Sequence, residues 1–233
     1  MESSRIRPFH HEPIQDRGYK TRQKVLNAAR KVLVRRGYQA ARVAEITKLA
    51  RVGYGTFYKY FLNKQDVLEA VMEEVYTQLQ EASFPPQVVV AHLEEQIRNG
   101  ITSYLEVYYK NREVLLALEP ASLLSPRITK FLADMREKEV QWMVREIGNL
   151  NSQGWRIKGS PEVFSLAMLR TVDTVAQDWI TRRQHLKLEE LAETLCEIWY
   201  RAILPSRPSG SDQPPRPSAA EAEDSHTAGN SNL

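Results

Sequence analysis

The stretch of the sequence whose side chains have the clearest chemistry is VGYGTFYKYFLNK, residues 52–64. It concentrates hydroxyl and ammonium groups, which donate hydrogen bonds to phosphate oxygens and, from a helix, to the edges of bases. Two glycines in the same stretch let the backbone approach a partner closely. The stretch therefore predicts contacts with nucleic acid by Gly53, Gly55, Thr56, Tyr58, Lys59, Tyr60 and Lys64.

The distribution of charge also favours a polyanionic partner for this end of the chain. Residues 1–64 contain 15 Lys and Arg against 4 Asp and Glu, a net charge of +11, whereas the remaining residues contain 17 against 25, a net charge of −8. Nucleic acid and an anionic membrane surface both fit this asymmetry, as does a merely solvated basic surface. Residues 1–20 lack an amphipathic helix with cations opposite bulky apolar residues, which disfavours the membrane.

Other chemistries find little support in the sequence. A single cysteine, Cys196, excludes an internal disulfide framework and a zinc site built from cysteines. The histidines have no ligand partners at metal-binding spacing, and no G-x-S-x-G, P-loop, GxGxxG or H-E-x-x-H motif occurs. There is no apolar run of 18 residues and no secretory signal. We therefore expect a cytoplasmic protein that is not an enzyme and needs no cofactor or metal.

The elements that must position these groups are all helical. Apolar residues at helical spacing predict helices over about 21–36, 43–50, 54–61, 64–80, 87–110, 112–119, 126–150, 161–183 and 187–204. Gly37 is expected to end the first helix, and Pro85-Pro86, Pro120, Pro126, Gly154, Gly159 and Pro161 mark later breaks. Residues 1–20 are predicted to be a flexible basic arm, and the proline-rich residues 205–233, which contain no aromatic residue, to be a disordered tail.

The first three helices form a helix-turn-helix pattern, in which one helix reads base edges while its neighbours contact phosphates. Residues 21–68 resemble the N-terminal domain of TetR-family transcriptional regulators. The motifs that carry this resemblance are Gly37-Tyr38, Val43 and Ile46 in the second helix, Gly55-Thr56-Phe57-Tyr58 with Tyr60-Phe61 in the third, and Lys64.

The resemblance implies an N-terminal three-helix DNA-binding domain, residues 21–66, and a larger C-terminal helical domain for ligand binding and dimerisation, residues 67–204. It implies a homodimer through about 161–204 that binds a pseudo-palindromic DNA operator, usually as a repressor, and is released by a small-molecule effector. Phe57 and Phe61 are expected in the core of the three helices. The implied DNA contacts are Arg42, Gly53, Tyr54, Gly55, Thr56, Tyr58, Lys59, Tyr60 and Lys64.

Several positions depart from the family pattern, among them Gly53, where the family commonly has Ser. Ala41 and Arg42 occupy the start of the second helix, where the family often has Thr or Ser, and Arg42 offers a charged contact instead. Arg51 stands where glycine is common, and it would be strained if that position required a positive φ. Leu62 replaces a frequent proline. Basic residues of the arm (Arg5, Arg7, Arg17, Lys20 and Arg22) could enter a minor groove or remain disordered.

The C-terminal domain offers candidates for a ligand pocket. Glu139 and Glu146 lie on the apolar stripe of the helix over 126–150, and a carboxylate on such a face is costly unless it is paired. Glu139 therefore either has an internal partner or awaits a cationic group of a ligand. The candidate lining residues are Tyr104, Tyr108, Leu116, Phe131, Met135, Glu139, Trp142, Met168, Val172 and Trp179, although such a stripe also suits a simple core.

The aromatic and methionine content predicts an apolar or aromatic effector, with fatty-acyl, steroid-like and aromatic compounds all compatible. One alternative function stays open at this point. The chain could be a non-enzymatic helical protein that binds small molecules or partners and whose basic N-terminus binds nucleic acid without sequence preference.

Overall fold

A computed structural model of the protein describes residues 16–83, 92–122, 126–153, 157 and 159–203. These residues form nine α-helices and no strand, which confirms the all-α prediction. The helices are α1 (Asp16–Ala40), α2 (Val43–Ala50), α3 (Tyr54–Tyr60), α4 (Lys64–Ser83), α5 (Leu93–Lys110), α6 (Arg112–Ser122), α7 (Pro126–Ser152), α8 (Pro161–Thr181) and α9 (Leu188–Ile203). The predicted tail, residues 205–233, and arm residues 1–15 lie outside the described residues.

The first helix differs from the prediction at its start. It begins at Asp16 rather than Thr21, so residues 16–20, which were predicted to belong to the arm, are helical. Apolar periodicity begins only at Val25 and therefore did not reveal this polar first turn. Gly37 breaks the helical geometry as predicted, with φ 69° and ψ 168°. The break predicted at Pro120 is wrong, because α6 continues through this residue to Ser122.

Helices α1, α2 and α3 share one apolar core with the helices that follow. Phe57 and Phe61 are buried between α1, α2 and α4, which confirms their predicted place in the core, and their ring centroids lie 5.8 Å apart. The same core continues along α4 and reaches Val114 of α6 and Leu132 of α7. Because residues of α6 and α7 pack in the same apolar cluster as residues of α1 and α4, a displacement of α6 or α7 changes the packing of α1 and α4.

The C-terminal helices α5–α9 enclose two further apolar clusters. One joins α5 to α8 and α9 around Leu105, Ala176 and Leu195, and the other joins α7 to α8 and α9 around Met143 and Ile203. The end of α4 packs closely on α5 at Gly100, where a Cβ atom would lie 2.7 Å from the backbone oxygen of Ser83. No helix in the described part of the chain is long and apolar enough to cross a membrane.

Candidate functional site

The turn between α2 and α3 sets the orientation of α3. The helix α2 ends at Arg51, which has φ 56° and ψ 46° and is the only non-glycine residue with positive φ in the described chain. Val52 N–H donates to the carbonyl oxygen of Thr47 at 3.1 Å, which closes the turn. The strain foreseen for Arg51 is therefore present, because a side chain with a Cβ atom disfavours this conformation.

One face of α3 is open to solvent and the other is buried. Tyr54 and Tyr58, one helical turn apart, are 54% and 52% exposed, and Lys59 is also exposed. Thr56 is half-buried beside them. Gly53 caps the helix without a side-chain hydrogen bond, so the first backbone N–H groups of α3 have no acceptor from a capping side chain. Hydroxyl, ammonium and amide donors thus meet on one exposed surface.

Two of the predicted contact residues do not lie on this surface. Tyr60 is buried in the core, because it follows Phe57 by three residues and so faces the same way. The Lys64 ammonium donates to the carbonyl oxygens of Tyr38 and Gln39, at 2.8 and 3.1 Å, and lies 4.5 Å from the centroid of the Tyr38 ring. Lys64 therefore holds the start of α4 to the end of α1, and Tyr60 packs in the core, while the phosphate contacts predicted for both stay predictions.

The surface around α3 is positively charged. Exposed cations surround it on α2, in the turn and on α3 itself: Arg42, Lys48, Arg51 and Lys59. Glu45 is the only acidic residue in the sequence between positions 43 and 64, and it is paired with Arg36 at 3.4 Å. The exposed face consequently carries an excess of cations that suits a polyanion. We call this face the α3 surface, defined by Arg42, Gly53, Tyr54, Gly55, Thr56, Tyr58 and Lys59.

Of the basic residues considered for the arm, those at positions 17, 20 and 22 belong to α1. The Arg22 guanidinium packs over the Phe61 ring at 5.3 Å from its centroid, so this side chain braces the helix core. Arg5 and Arg7 lie outside the described residues.

Polar contacts join helices α1 and α4 to the helices that follow them. Arg127, in the first turn of α7, has its Nε atom 2.9 Å from Oε2 of Glu69 and its Nη1 atom 3.7 Å from Oδ1 of Asp66, both on α4. Glu69 is only 4% exposed. On the other side, Arg30 of α1 donates to the Asn111 side chain at 2.9 Å, just before α6. These contacts give a displacement of α7 a direct route to the start of α4.

Two cavities lie among the C-terminal helices. The first is a cleft, partly open to solvent, that is lined mainly by α5, α7, α8 and α9. The second, also partly open to solvent, lies between α4, α5, α6, α7 and α8. Tyr104, Glu139 and Asp173 line both cavities and so form the wall between them.

Seven of the ten predicted pocket residues line these cavities. Trp142 and Val172 line the first, Tyr108, Leu116 and Met135 the second, and Tyr104 and Glu139 both. The other three pack in the core, which corrects their assignment. Phe131 is half-buried against the core shared with α1, Met168 is buried between α7 and α9, and the Trp179 indole donates to the backbone oxygen of Leu186 at 2.9 Å.

The wall between the cavities holds two carboxyl groups and a phenol. Tyr104 Oη donates to Asp173 Oδ1 at 2.6 Å. Burial raises the pKa of Glu139 to about 7, and the nearby Asp173 adds to this rise while Arg136 and Arg170 oppose it. Burial also raises the pKa of Asp173, against the hydrogen bond from Tyr104. The sequence analysis missed Asp173, although Leu169, Val172 and Ala176 place it on an apolar face of α8, the same signal that identified Glu139.

The outer face of α8 and α9 exposes apolar side chains. Val163, Leu166 and Ile198 are 65%, 46% and 45% exposed. By contrast, Leu191, Leu195 and Ile203 of α9 are buried in the core of the single chain. The exposed apolar residues of α8 and α9 therefore include Val163, Leu166 and Ile198.

Comparisons with known proteins agree on one family. The family model described as "Bacterial regulatory proteins, tetR family" matches residues 25–71. The fatty acid metabolism regulator protein of Bacillus subtilis (strain 168) is 25% identical over 197 residues, covering 77% of this chain and 93% of that protein.

Solved structures share the fold. A TetR-family transcriptional regulator from Pectobacterium atrosepticum matches with a TM-score of 0.59 and 24% identity, covering 83% of this chain and 99% of that chain. NalD, the secondary repressor of the MexAB-OprM multidrug efflux pump in Pseudomonas aeruginosa, matches with a TM-score of 0.63 and 17% identity, covering 80% and 97%.

Proposed function

The chain belongs to the TetR family of DNA-binding transcriptional regulators, and from this premise we propose that it is a homodimeric repressor that releases its operator DNA when it binds a small-molecule effector. The observation that carries the proposal is the α3 surface. Hydroxyl, ammonium and backbone amide donors lie there on one short exposed helix, and cations flank it. The neighbouring carboxylate, Glu45, is already paired with Arg36. Side chains at the start of such a helix reach base edges while the flanking groups bind phosphates.

Dimerisation supplies the second half of the operator contact. A two-fold axis beside α8 and α9 would cover Val163, Leu166 and Ile198 and present two α3 helices to successive major grooves. The operator should accordingly be an inverted repeat. Light scattering on the purified chain should give twice the monomer mass, and Leu166→Asp should lower it because it places a charge in the interface.

The cavities supply the site for the effector. Helix α7 lines both cavities and carries Arg127, which contacts the start of α4, so a ligand that moves α7 also moves the DNA-binding helices. A ligand can release DNA only by binding the released state more tightly than the bound one. A coupling of ~1–3 kcal/mol would lower operator affinity ~5–150-fold.

The test is selection of bound sequences from a random DNA library, followed by affinity measurements at several salt concentrations. We expect an enriched inverted repeat. Lys59→Ala and Tyr58→Phe should weaken binding to all sequences, and Lys59→Ala should reduce the salt slope by about one. Tyr54→Ala and Thr56→Ala should instead change the preferred bases, whereas the matched control Lys138→Ala, an exposed lysine of α7, should change neither.

Two outcomes would contradict the proposal. Weak, even binding that disappears at higher salt would show that the basic helices form only an electrostatic patch. Unchanged operator binding in all four variants of the α3 surface would show that another face contacts DNA. Transcription from a reporter carrying the selected operator distinguishes a repressor from an activator, since a repressor lowers expression and its deletion restores it.

A further inference from the structure

The first cavity has an uneven distribution of charge. Among its described lining residues the only charged side chains are the carboxyl groups of Glu139 and Asp173, and no cation lines it. Arg136 and Arg170 line only the second cavity, where both are exposed. A molecule bound in the first cavity therefore meets two carboxyl groups, while the nearest cations to them, Arg136 and Arg170, line the second cavity.

The two carboxyl groups differ in how far they are already satisfied. Asp173 accepts the hydrogen bond of Tyr104 Oη at 2.6 Å. Glu139 has no ion pair within 4 Å and no hydrogen bond among the described residues, although it comes from the middle of the apolar face of α7. Because Glu139 is half-buried and has no direct partner in the described chain, a ligand cation could approach its carboxyl group without displacing a protein contact.

The remaining walls suit a ligand that has an apolar body and an organic ammonium group. Trp142, Trp199 and Tyr104 place aromatic rings around the cavity, together with Leu169 and Val172. Aromatic faces attract organic cations, in particular quaternary ammonium groups.

From this arrangement we propose that the effector is an amphipathic organic cation, with its apolar body among the tryptophans of the first cavity and its positive group against Glu139 and Asp173. The proposal rests on the effector-binding role argued above and names its chemical class. An anionic amphipath, such as a fatty acid, would place its carboxylate against these two carboxyl groups, or would have to reach Arg136 and Arg170 in the second cavity. A metal ion finds no group of three or more His, Cys, Asp or Glu ligands in the described chain.

The experiment measures direct binding of three probes that differ only in the head group: decyltrimethylammonium, decanol and decanoate. Calorimetry on the full chain without DNA, each probe below its micelle concentration, gives affinity and stoichiometry. Tryptophan fluorescence provides a second readout, because Trp142 and Trp199 line the cavity. We expect the cation to bind one molecule per chain and the anion to bind most weakly.

Two variants of α7 test whether the Glu139 carboxyl group binds the positive group of the probe. Glu139→Gln should weaken binding of decyltrimethylammonium about 10- to 100-fold, the range for loss of one charged contact, and leave decanol unchanged. The matched control is Glu146→Gln, which replaces a carboxyl group on the same helix that lines neither cavity. Both substitutions keep the size of the side chain, and thermal unfolding checks that the variants are folded.

Three results would overturn the proposal: equal affinity for the three probes, absence of cation binding by the folded chain, or tightest binding of decanoate. If decanoate binds best and Arg170→Gln abolishes that binding, the effector is an anion held in the second cavity. DNA binding is measured separately, so loss of this proposal leaves the operator result intact. Conversely, failure to find an operator leaves the probe affinities valid as evidence for the cavity.

Discussion

Replacing Arg51 with glycine should stabilise the folded chain. Arg51 has φ 56° and ψ 46°, and this left-handed conformation costs a residue with a Cβ atom about 1–2 kcal/mol. Glycine avoids that cost but loses about 0.4–1 kcal/mol through the greater freedom of the unfolded chain. The net gain should be about 0.5–1 kcal/mol, since the exposed Arg51 side chain has no ion pair or hydrogen bond in the described structure.

Denaturant titration of the full chain measures this gain, and two further variants separate conformation from charge. Arg51→Ala removes the cation but keeps the Cβ atom, so its stability should remain near that of the parent. Arg51→Asn should fall between alanine and glycine, because asparagine tolerates the left-handed region. If alanine stabilised the chain as much as glycine, the gain would come from removal of charge and the strain argument would be refuted.

The same variants test whether Arg51 contacts DNA. Glycine and alanine both remove one positive charge beside the α3 surface. If Arg51 neutralises a phosphate, both variants should lower the slope of log affinity against log salt by about 0.9, although only glycine stabilises the fold. An unchanged slope in both would place Arg51 outside the DNA contact.

Three further predictions concern the C-terminal helices. Arg127→Gln leaves the buried Glu69 without its cation and should lower the free energy of unfolding by about 1–2 kcal/mol in a denaturant titration. It should also weaken the effect of the effector on operator affinity. If neither quantity changed, the Arg127–Glu69 pair would not couple α7 to α4. Gly100→Ala forces the end of α4 and α5 apart and should lower the midpoint of thermal unfolding. The matched variant Gly148→Ala should raise this midpoint, because its Cβ atom meets no atom within 4 Å and alanine favours the helix more than glycine does. A rise in both variants would refute the clash at Gly100. The pKa of Glu139 is raised from 4.5 to about 7, so between these pH values the folded chain binds more protons than the unfolded chain. The free energy of unfolding should therefore fall as pH rises through this window, by at most about 1.4 kcal/mol per pH unit. Glu139→Gln should remove that contribution, which titrations on either side of the window will detect, and an unaltered pH dependence would contradict it.

Apolar periodicity predicted the helices because their buried faces are what stabilise them. Helix α2 has the predicted bounds, Val43–Ala50, and α3 begins at the predicted Tyr54. The first turn of α1 was missed since its residues 16–20 carry no apolar stripe. Local sequence signals thus located the elements of the DNA-binding domain, and the errors fall where polar residues continue a helix.

The roles of individual polar side chains were harder to predict. A lysine near a recognition helix suits a phosphate, but Lys64 instead binds backbone carbonyl groups that lie 25 and 26 residues earlier in the chain. Tyr60 has the same chemical groups as Tyr58, and only the packing of α3 decides which of the two is exposed. Such assignments depend on contacts between elements, which a single sequence does not reveal.

The packing of the chain constrains how an effector could act. The core around Phe57 continues without interruption into α6 and α7, and Arg127 ties α7 to the buried Glu69 of α4. Rotation of the DNA-binding helices against α6 and α7 would therefore expose apolar surface and break the contact between Arg127 and the buried Glu69. We expect a ligand that displaces α7 at Glu139 to move α4 with it, and α3 to follow because Lys64 and Phe61 hold the start of α4 to the helix core. Two substitutions with opposite consequences would test this order of events: loss of Arg127 should reduce the response without altering effector affinity, whereas loss of the Glu139 charge should reduce affinity while a saturating effector still releases DNA.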